Sequence, residues 1–249
     1  MQLSLSGFLF EDQYSSQSLG LGAFCRLARS AGYTGAELRR TQIDPREPAA
    51  QRQRVAALCA EHGLRITCLT TRGMPAAGAD RDRFFRSYLA LCADLGCPLL
   101  KTGGPPHWLR RAAAEGQAAG VMLASNNHIG GPLETVAGAL AQLRAVDHPN
   151  YGLLLDPMHL MLAGQDCVTA VSELVPYTRN ILVQCRRPAA PGEPADLERD
   201  GRRWVRARIT ESGTPDWPSV LRAWKQGGYD GPITVIENGV DVDEWSTEL

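Results

Sequence analysis

Residues 49–69, AAQRQRVAALCAEHGLRITCL, contain the structural unit that is repeated along the whole chain. The helical pattern of Ala49–His62 ends at Gly63, and a short apolar run, Arg65–Leu69, follows almost at once. A glycine just past the last helical residue is a common stop signal, because glycine adopts the left-handed conformation without strain. A short continuous apolar run is typical of a strand covered by helices on both faces. The stretch therefore predicts a helix followed by a buried parallel strand.

The same alternation extends outward from this stretch in both directions. Other helical patterns also end at a glycine before the next strand, as at Gly32, Gly96 and Gly227. The predicted strands are Leu3–Phe10, Gly35–Leu38, Arg65–Leu69, Leu99–Lys101, Val121–Asn126, Gly152–Leu155, Ile181–Cys185 and Ile233–Ile236. The predicted helices are Leu21–Ala31, Ala49–His62, Arg81–Leu95, Trp108–Ala119, Leu133–Val146, Val168–Leu174 and Trp217–Gln226. Regular alternation of strands and helices indicates an α/β fold with a parallel sheet.

The number of strands favours a closed barrel over an open sheet. Eight strands in 249 residues give about 31 residues per unit, close to the size of a βαβ unit. An open nucleotide-binding sheet normally has a glycine-rich turn after its first strand, whereas Glu11–Tyr14 follows the first strand here. We therefore predict a single (β/α)8 TIM-barrel domain over residues 1–249. Only residues 238–249 follow the eighth strand, which predicts a truncated final helix.

Composition excludes several classes of protein. Apolar residues make up 44% and charged residues 21%, which is typical of a globular domain rather than a disordered chain. The 26 basic and 27 acidic residues give a formal net charge of −1, so we expect no nucleic-acid or membrane partner. No apolar run is long enough to cross a membrane. Seven cysteines without a C-x-x-C pair, and no secretory pattern, predict a cytoplasmic protein with reduced thiols.

Polar side chains follow most of the predicted strands where each strand ends. In a (β/α)8 barrel, active-site residues lie at the C-terminal ends of the strands. These ends supply a set of candidate site residues, namely Glu37, Lys101, Asn126, His128, Asp156, His159, Gln184, Arg186 and Glu237. Polar groups at the ends of apolar strands are costly to bury without partners. Their convergence on one rim therefore predicts a functional site.

Three stretches that contain these candidate residues resemble the xylose isomerase-like sugar-phosphate isomerase/epimerase family, which also contains inosose dehydratases and ketose 3-epimerases. Residues 121–128, VMLASNNH, stand where the family has an apolar strand that ends near Glu-Asn-His. Residues 152–159, GLLLDPMH, match its apolar strand ending in Asp-x-x-His, and the stretch from Asp216-Trp217 to GYDGPITVIE at residues 228–237 resembles its closing helix and strand. Residues 32–37 are similar to its second strand. The resemblance covers most of the chain.

The resemblance implies a divalent metal ion, such as Mn²⁺ or Mg²⁺, held by Glu, Asp, His and Glu from strands five to eight. Asp156 and Glu237 stand at the strand-six and strand-eight positions and are the predicted metal ligands. Asn126 falls at the strand-five position, and Leu182 or Gln184 falls at the strand-seven position, depending on the register. Amide oxygens are poorer ligands than a carboxylate and an imidazole, so a weak metal site is expected.

The predicted function is proton transfer at a carbon α to a carbonyl in a small polyhydroxylated substrate, as in an isomerase or epimerase. The predicted catalytic residues are Glu237, as the main base, with His159 and Glu37. The predicted substrate-binding residues are His128, Lys101, Asn126, Gln184 and Arg186. Two alternatives stay open: a dehydratase or lyase of the same fold, and a catalytically silent barrel that serves as a binding partner.

Individual residues also have structural interpretations. Asp156 is a residue type that commonly caps a helix, here a short one beginning near Met158, and Glu37 can pair with Arg39 or Arg40. Lys101 fits either a Schiff-base lysine or, more simply, a cation that binds an anionic substrate group. Trp245, near the end of the chain, is a candidate for a subunit contact in a homodimer.

Overall fold

The computed structural model describes residues 1–12, 14–71, 73–75 and 78–236. Eight parallel strands close into a barrel, which confirms the predicted (β/α)8 fold. Numbered β1 to β8 along the chain, they are Gln2–Ser6, Gly35–Arg39, Arg65–Thr70, Leu99–Lys101, Met122–Asn126, Tyr151–Leu155, Thr178–Val183 and Pro232–Val235. The strands follow one another around the barrel in chain order, and β8 pairs with β1 to close it.

Helices connect successive strands. Numbered α1 to α8, they are Leu21–Ser30, Ala49–Glu61, Gly78–Leu95, Pro106–Ala118, Val136–Val146, Pro157–Leu162, Cys167–Leu174 and Trp217–Gln226. Both α6 and α7 lie between β6 and β7, and α6 is the short helix that the N-cap interpretation of Asp156 implies, although it is not among the predicted helices. None of these helices is long and apolar enough to span a membrane. The predicted truncated final helix and Trp245 lie outside the described residues, so the homodimer stays a prediction.

Two predicted segments differ from the structure. The first predicted strand, Leu3–Phe10, is wrong from Gly7 onward, because Gly7–Phe10 forms a 3₁₀-helix. The Ser6 hydroxyl accepts a hydrogen bond from the backbone N–H of Phe8 at 3.1 Å and so caps this turn. The segment between β7 and α8, for which no strand is predicted, contains an antiparallel ribbon of three strands, Arg186–Pro188, Leu197–Arg199 and Arg202–Arg206. We refer to these three strands as the β7 ribbon.

The barrel interior is filled by an apolar cluster that we call the plug: Cys68, Leu99, Ala124, Leu154, Leu182 and Ile236. Strand side chains alternate between the two faces of a sheet, so residues two positions further along point to the same side. Lys101, Asn126 and Gln184 follow plug residues at this spacing. The plug thus forms the floor beneath the side chains at the strand ends.

All seven cysteines are free thiols, and the thiols of Cys25 and Cys59 lie 3.9 Å apart.

Candidate active site

A cavity of about 480 Å³ lies at the C-terminal ends of the barrel strands. Seven of the predicted site residues line it: Glu37, Lys101, Asn126, His128, His159, Gln184 and Arg186. Asp156 lies fully buried behind this surface and is bonded to Gln184. Glu237, which we predicted as the main base and a metal ligand, lies outside the described residues, and its role stays a prediction.

Glu37, on β2, is a buried carboxylate with one fixed and one free oxygen. Its side chain is 2% exposed. The Thr70 hydroxyl donates to Glu37 Oε1 at 2.7 Å, and Arg39 Nη1 lies 3.6 Å from the same oxygen. Glu37 Oε2 is buried and has no hydrogen-bond partner among the described residues. A carboxylate oriented through one oxygen retains the other to accept a proton.

Arg39 is held rigidly beside Glu37. Its Nε and Nη2 donate to Glu11 Oε2 at 3.2 and 2.8 Å. Its guanidinium carbon lies 4.8 Å from the centroid of the Phe8 ring. Both interactions restrict the planar guanidinium, since a paired and stacked arginine loses its rotamer freedom. The arginine two positions from Glu37 is thus its partner, as one of the structural interpretations predicted.

Lys101 is the last residue of β4, and its side chain lines the cavity. It is partly buried, and within the described part of the chain its ammonium group forms neither a hydrogen bond nor an ion pair. Burial lowers the pKa of Lys101 below its ordinary value, and the negative charge of Glu37 opposes part of that shift. The side chain is therefore a cation that is more easily deprotonated than a lysine in water.

Asp156 follows β6 and caps α6. Its Oδ1 accepts hydrogen bonds from the backbone N–H groups of Met158 at 3.0 Å and His159 at 3.4 Å. The side-chain amide of Gln184 donates to Asp156 Oδ2. Complete burial nevertheless raises the pKa of Asp156 to about 7, because desolvation disfavours the charged carboxylate. The N-cap interpretation of Asp156 is therefore confirmed.

His159, in α6, is a buried neutral imidazole. Its Nε2 lies 3.5 Å from Asp156 Oδ2 and 3.4 Å from Gln184 Nε2. Burial, with a further contribution from His128, lowers the pKa of His159 to about 2. The centroids of the two imidazole rings are 4.1 Å apart. His128 Nδ1 lies 2.8 Å from the carbonyl oxygen of Ile129 and donates to it.

Sequence reasoning missed the role of Asn127, which clamps the ends of β5 and β6 together. Its Oδ1 accepts from the backbone N–H of Asp156 at 2.7 Å, and its Nδ2 donates to the carbonyl of the same residue at 3.0 Å. The neighbouring Asn126 donates to the carbonyl of Leu154 at 3.1 Å. The available signal was a run of polar residues directly after an apolar strand.

The rim of the cavity carries three arginines whose environments differ. Arg40 donates to the backbone carbonyl of Tyr14 and has no acidic partner among the described residues. Arg186 and Arg206, both in the β7 ribbon, share the single carboxylate of Asp196. These positive charges give the mouth of the cavity an affinity for anions. Of the three, the sequence analysis identified only Arg186.

The described residues do not fit a divalent metal ion. Among them, no group of three or more His, Cys, Asp or Glu side chains is arranged to hold one. The carboxylate of Asp156 is already bound by the N-terminus of α6 and by the Gln184 amide. The Asn126 amide is directed at a backbone carbonyl rather than at this carboxylate. The predicted metal site therefore stays a prediction that depends on Glu237.

Comparisons with known proteins agree on the fold. Residues 25–244 match the family model of the xylose isomerase-like TIM barrel. No curated protein matches the chain in sequence.

Solved structures of the same fold include several enzymes. One is the probable 3-DHS dehydratase AsbF of Bacillus anthracis, with a TM-score of 0.76, 16% identity, and coverage of 99% of this chain and 95% of that one. A D-psicose 3-epimerase has a TM-score of 0.75 and 14% identity over 97% of this chain and 86% of that one. An L-ribulose 3-epimerase has a TM-score of 0.72 and 19% identity over 100% and 86%. Identities this low establish a shared fold alone.

Proposed function

Because the chain belongs to the family of xylose isomerase-like TIM barrels, we propose that it is an enzyme that removes and returns a proton at a carbon α to a carbonyl. The observation that carries the proposal is Glu37, a buried carboxylate with Oε1 fixed and Oε2 without a partner among the described residues. It lines a cavity of about 480 Å³, a size suited to a small ligand.

The cavity contains separate groups for the two tasks of enolisation, which are removal of the α-proton and stabilisation of the negative charge on the carbonyl oxygen. Glu37 takes the α-proton, and the charge that then develops on the carbonyl oxygen needs a nearby cation. Lys101 is such a cation, since no described residue neutralises it by a direct ion pair. The neutral imidazole of His159 and the amides of Asn126 and Gln184 have the donors and acceptors that bind substrate hydroxyls. In this proposal Glu37 takes the α-proton, and Glu237, which the sequence predicts as the main base, is the second base.

The arginines at the rim of the cavity support a proposal for the substrate class. Arg40 has no acidic partner among the described residues, and Arg186 and Arg206 have one carboxylate between them. Arginine binds phosphate and carboxylate in a bidentate manner. We therefore propose a sugar phosphate or sugar acid as substrate, with its anionic group at the rim and its carbonyl near Lys101.

Isomerisation, epimerisation and elimination share the same enolate. Epimerisation needs a base on each face of the substrate, whereas loss of water from the enolate needs fewer groups. The isomerase or epimerase is our first proposal, and a dehydratase or lyase is the alternative. A catalytically silent barrel is disfavoured by a buried carboxylate oxygen and a lysine that have no partner among the described residues.

The test is a substrate panel incubated with the protein in D₂O. It contains D-fructose, D-psicose, L-ribulose, 3-DHS and the phosphates of the three sugars. We expect deuterium to enter the carbon next to the carbonyl of at least one anionic member, detected by NMR against a protein-free control. Mass spectrometry separates epimers from dehydrated products. Binding seen by thermal shift, with neither exchange nor a new product, would show a silent barrel instead.

A further inference from the structure

We propose that Lys101 is a covalent catalyst that forms a Schiff base with the carbonyl carbon of the substrate. The inference deepens the proposed function and rests on it for the presence of a carbonyl substrate. It assigns Lys101 a bond-forming role in place of the purely electrostatic role described above.

The first argument is the use of lysine in this chain. Only two lysines occur, Lys101 and Lys225, among 26 basic residues. The other described cations around the cavity include four arginines, of which Arg39 and Arg186 are held by carboxylates. Arginine stays protonated in proteins and is a poor nucleophile, whereas lysine can lose its proton and attack a carbonyl. The cavity thus has a lysine where an arginine would suffice for anion binding.

The second argument is the freedom of the Lys101 amine. A lysine kept for structure is usually paired, but no hydrogen bond or ion pair holds Lys101 within the described part of the chain. Its backbone is fixed by the ladders on either side, opposite Thr70 of β3 and Ala124 of β5. Thr70 is also the residue that orients Glu37. A short hydrogen-bonded path therefore connects the strand that carries the amine to the proposed base.

The third argument is the environment of the amine. Beneath it lie plug residues such as Leu99 and Leu182, which exclude water from the floor of the cavity. Among the described residues, the titratable and charged groups that influence Lys101 or are influenced by it include Glu37 and Arg39 on β2, Cys68 on β3, Asp156 after β6 and His159 in α6. Burial is the largest of these influences and favours the neutral amine, the form that reacts.

The chemistry balances without a further reactant. The neutral amine attacks the carbonyl carbon, a C–N bond forms as the C=O π bond breaks, and a proton passes from the nitrogen to the oxygen. The hydroxyl of the resulting carbinolamine takes a second proton from solvent and leaves as water, while the nitrogen lone pair forms the C=N bond of a protonated Schiff base. Glu37 Oε2 then removes the α-proton, and the electron pair of the C–H bond moves toward the positive nitrogen to give an enamine. Return of a proton and of water releases the product and restores the amine, with no net oxidation.

The experiment is reductive trapping with a defined probe. The wild-type protein is incubated with dihydroxyacetone and sodium borohydride, which reduces a Schiff base to a stable secondary amine, and the adduct is located by peptide mapping. Lys225 is exposed in the last turn of α8 and serves as the internal control. We expect at least about tenfold more adduct on Lys101 than on Lys225, because the neutral amine is the form that reacts and burial in the cavity favours it at Lys101. Equal labelling, or labelling confined to Lys225 and the N-terminus, would overturn the proposal.

Two matched variants sharpen the result. Lys225→Arg should retain the adduct, and Lys101→Arg should lose it while keeping the positive charge. Acetylacetone gives a second readout, because a neutral amine converts it to an absorbing enaminone without any reductant. If Lys101→Arg does not fold, the ratio of the two lysines in the wild type still decides the question.

The outcome is separable from that of the proposed function. Deuterium exchange without a trapped adduct would leave the proposed function standing and reduce Lys101 to an electrostatic role, which overturns this inference. A trapped adduct without exchange in any panel member would support the inference and count against enolisation of that substrate class.

Discussion

The two halves of the cavity differ in how completely their carboxylates are bonded. On the β2–β4 half, Glu37 Oε2 and the Lys101 amine have no partner among the described residues. On the β5–β7 half, both oxygens of Asp156 accept hydrogen bonds, and the donors are backbone N–H groups and Gln184. Polar groups whose hydrogen bonds are all formed within the protein fix the geometry of the site, whereas groups with an unpaired atom are available to bind a substrate. The difference assigns the reaction to the first half and substrate alignment to the second.

The strongest test exchanges one carboxylate in each half for its amide. Glu37→Gln keeps the size of the side chain and removes the proton acceptor, so we expect deuterium exchange to fall by about 10²- to 10⁴-fold. Asp156→Asn retains an oxygen to cap α6, and exchange should stay within about tenfold of the wild type, since no proton transfer is lost. Initial rates on the fastest panel member, measured with circular dichroism as a folding control, give both numbers. A larger loss in Asp156→Asn would reverse the assignment of the two halves.

The pH dependence of the free energy of unfolding tests the β5–β7 half of the cavity alone, because the two titrating groups, Asp156 and His159, both lie there. Asp156, with its pKa raised to about 7, holds a proton in the folded state between pH 4 and 7 that it gives up on unfolding. His159, with its pKa lowered to about 2, takes up a proton on unfolding below about pH 6.5. The two effects have opposite signs, so between pH 4 and 6.5 the pair leaves the free energy of unfolding nearly independent of pH.

Single variants should separate the contributions of Asp156 and His159 to the slope of the free energy of unfolding against pH. In Asp156→Asn only the His159 effect remains, and the free energy of unfolding should fall by up to about 1.4 kcal/mol for each pH unit below 6.5. In His159→Phe only the Asp156 effect remains, and this free energy should rise by a similar amount for each unit from pH 7 down to 4. Urea titrations at several pH values, compared with the wild type, measure both slopes. Slopes of the same sign in the two variants would contradict the opposed pair.

A smaller effect is expected at the rim, where again one group is paired and another has no charged partner among the described residues. Arg40 has no acidic partner among the described residues, whereas Arg186 is neutralised by Asp196. Loss of a charge-assisted hydrogen bond costs about 1.5–3 kcal/mol, so Arg40→Gln should raise KM for an anionic substrate by about tenfold or more. Arg186→Gln should raise it less. KM for a neutral sugar is the control, and an equal rise for both sugars would argue against an anion-binding role.

The smallest effect is expected from chelation. The described residues provide no cluster of metal ligands, and Lys101 supplies the positive charge in the proposed mechanism. Dialysis against EDTA should therefore change the exchange rate by no more than about twofold, whereas removal of a required metal abolishes activity. Loss of exchange that Mn²⁺ restores would instead support the predicted metal site at Asp156 and Glu237.

Much of the fold could be predicted, because its signals are local. Short apolar runs mark the eight strands, and glycine stops at Gly32, Gly63, Gly96 and Gly227 mark the ends of several helices. Seven of the nine predicted site residues line one cavity because the barrel rule places strand ends together.

What could not be predicted depends on contacts between segments distant in sequence. The Asn127 clamp becomes visible only when β5 and β6 lie side by side. Arg206 reaches the rim through the β7 ribbon, whose pairing depends on strands that are too short to carry a periodic pattern. The 3₁₀-helix at Gly7–Phe10 interrupts an apolar run that on its pattern alone reads as one strand.

The β7 ribbon has a consequence for how this barrel can diversify. Within the described residues its three strands pair with one another and with none of the barrel strands. Insertions or replacements in the ribbon therefore leave the register of the barrel unchanged, while Arg186, Leu197 and Arg206 on its surface form one wall of the cavity. Ligand preference along that wall can evolve separately from the folding of the scaffold.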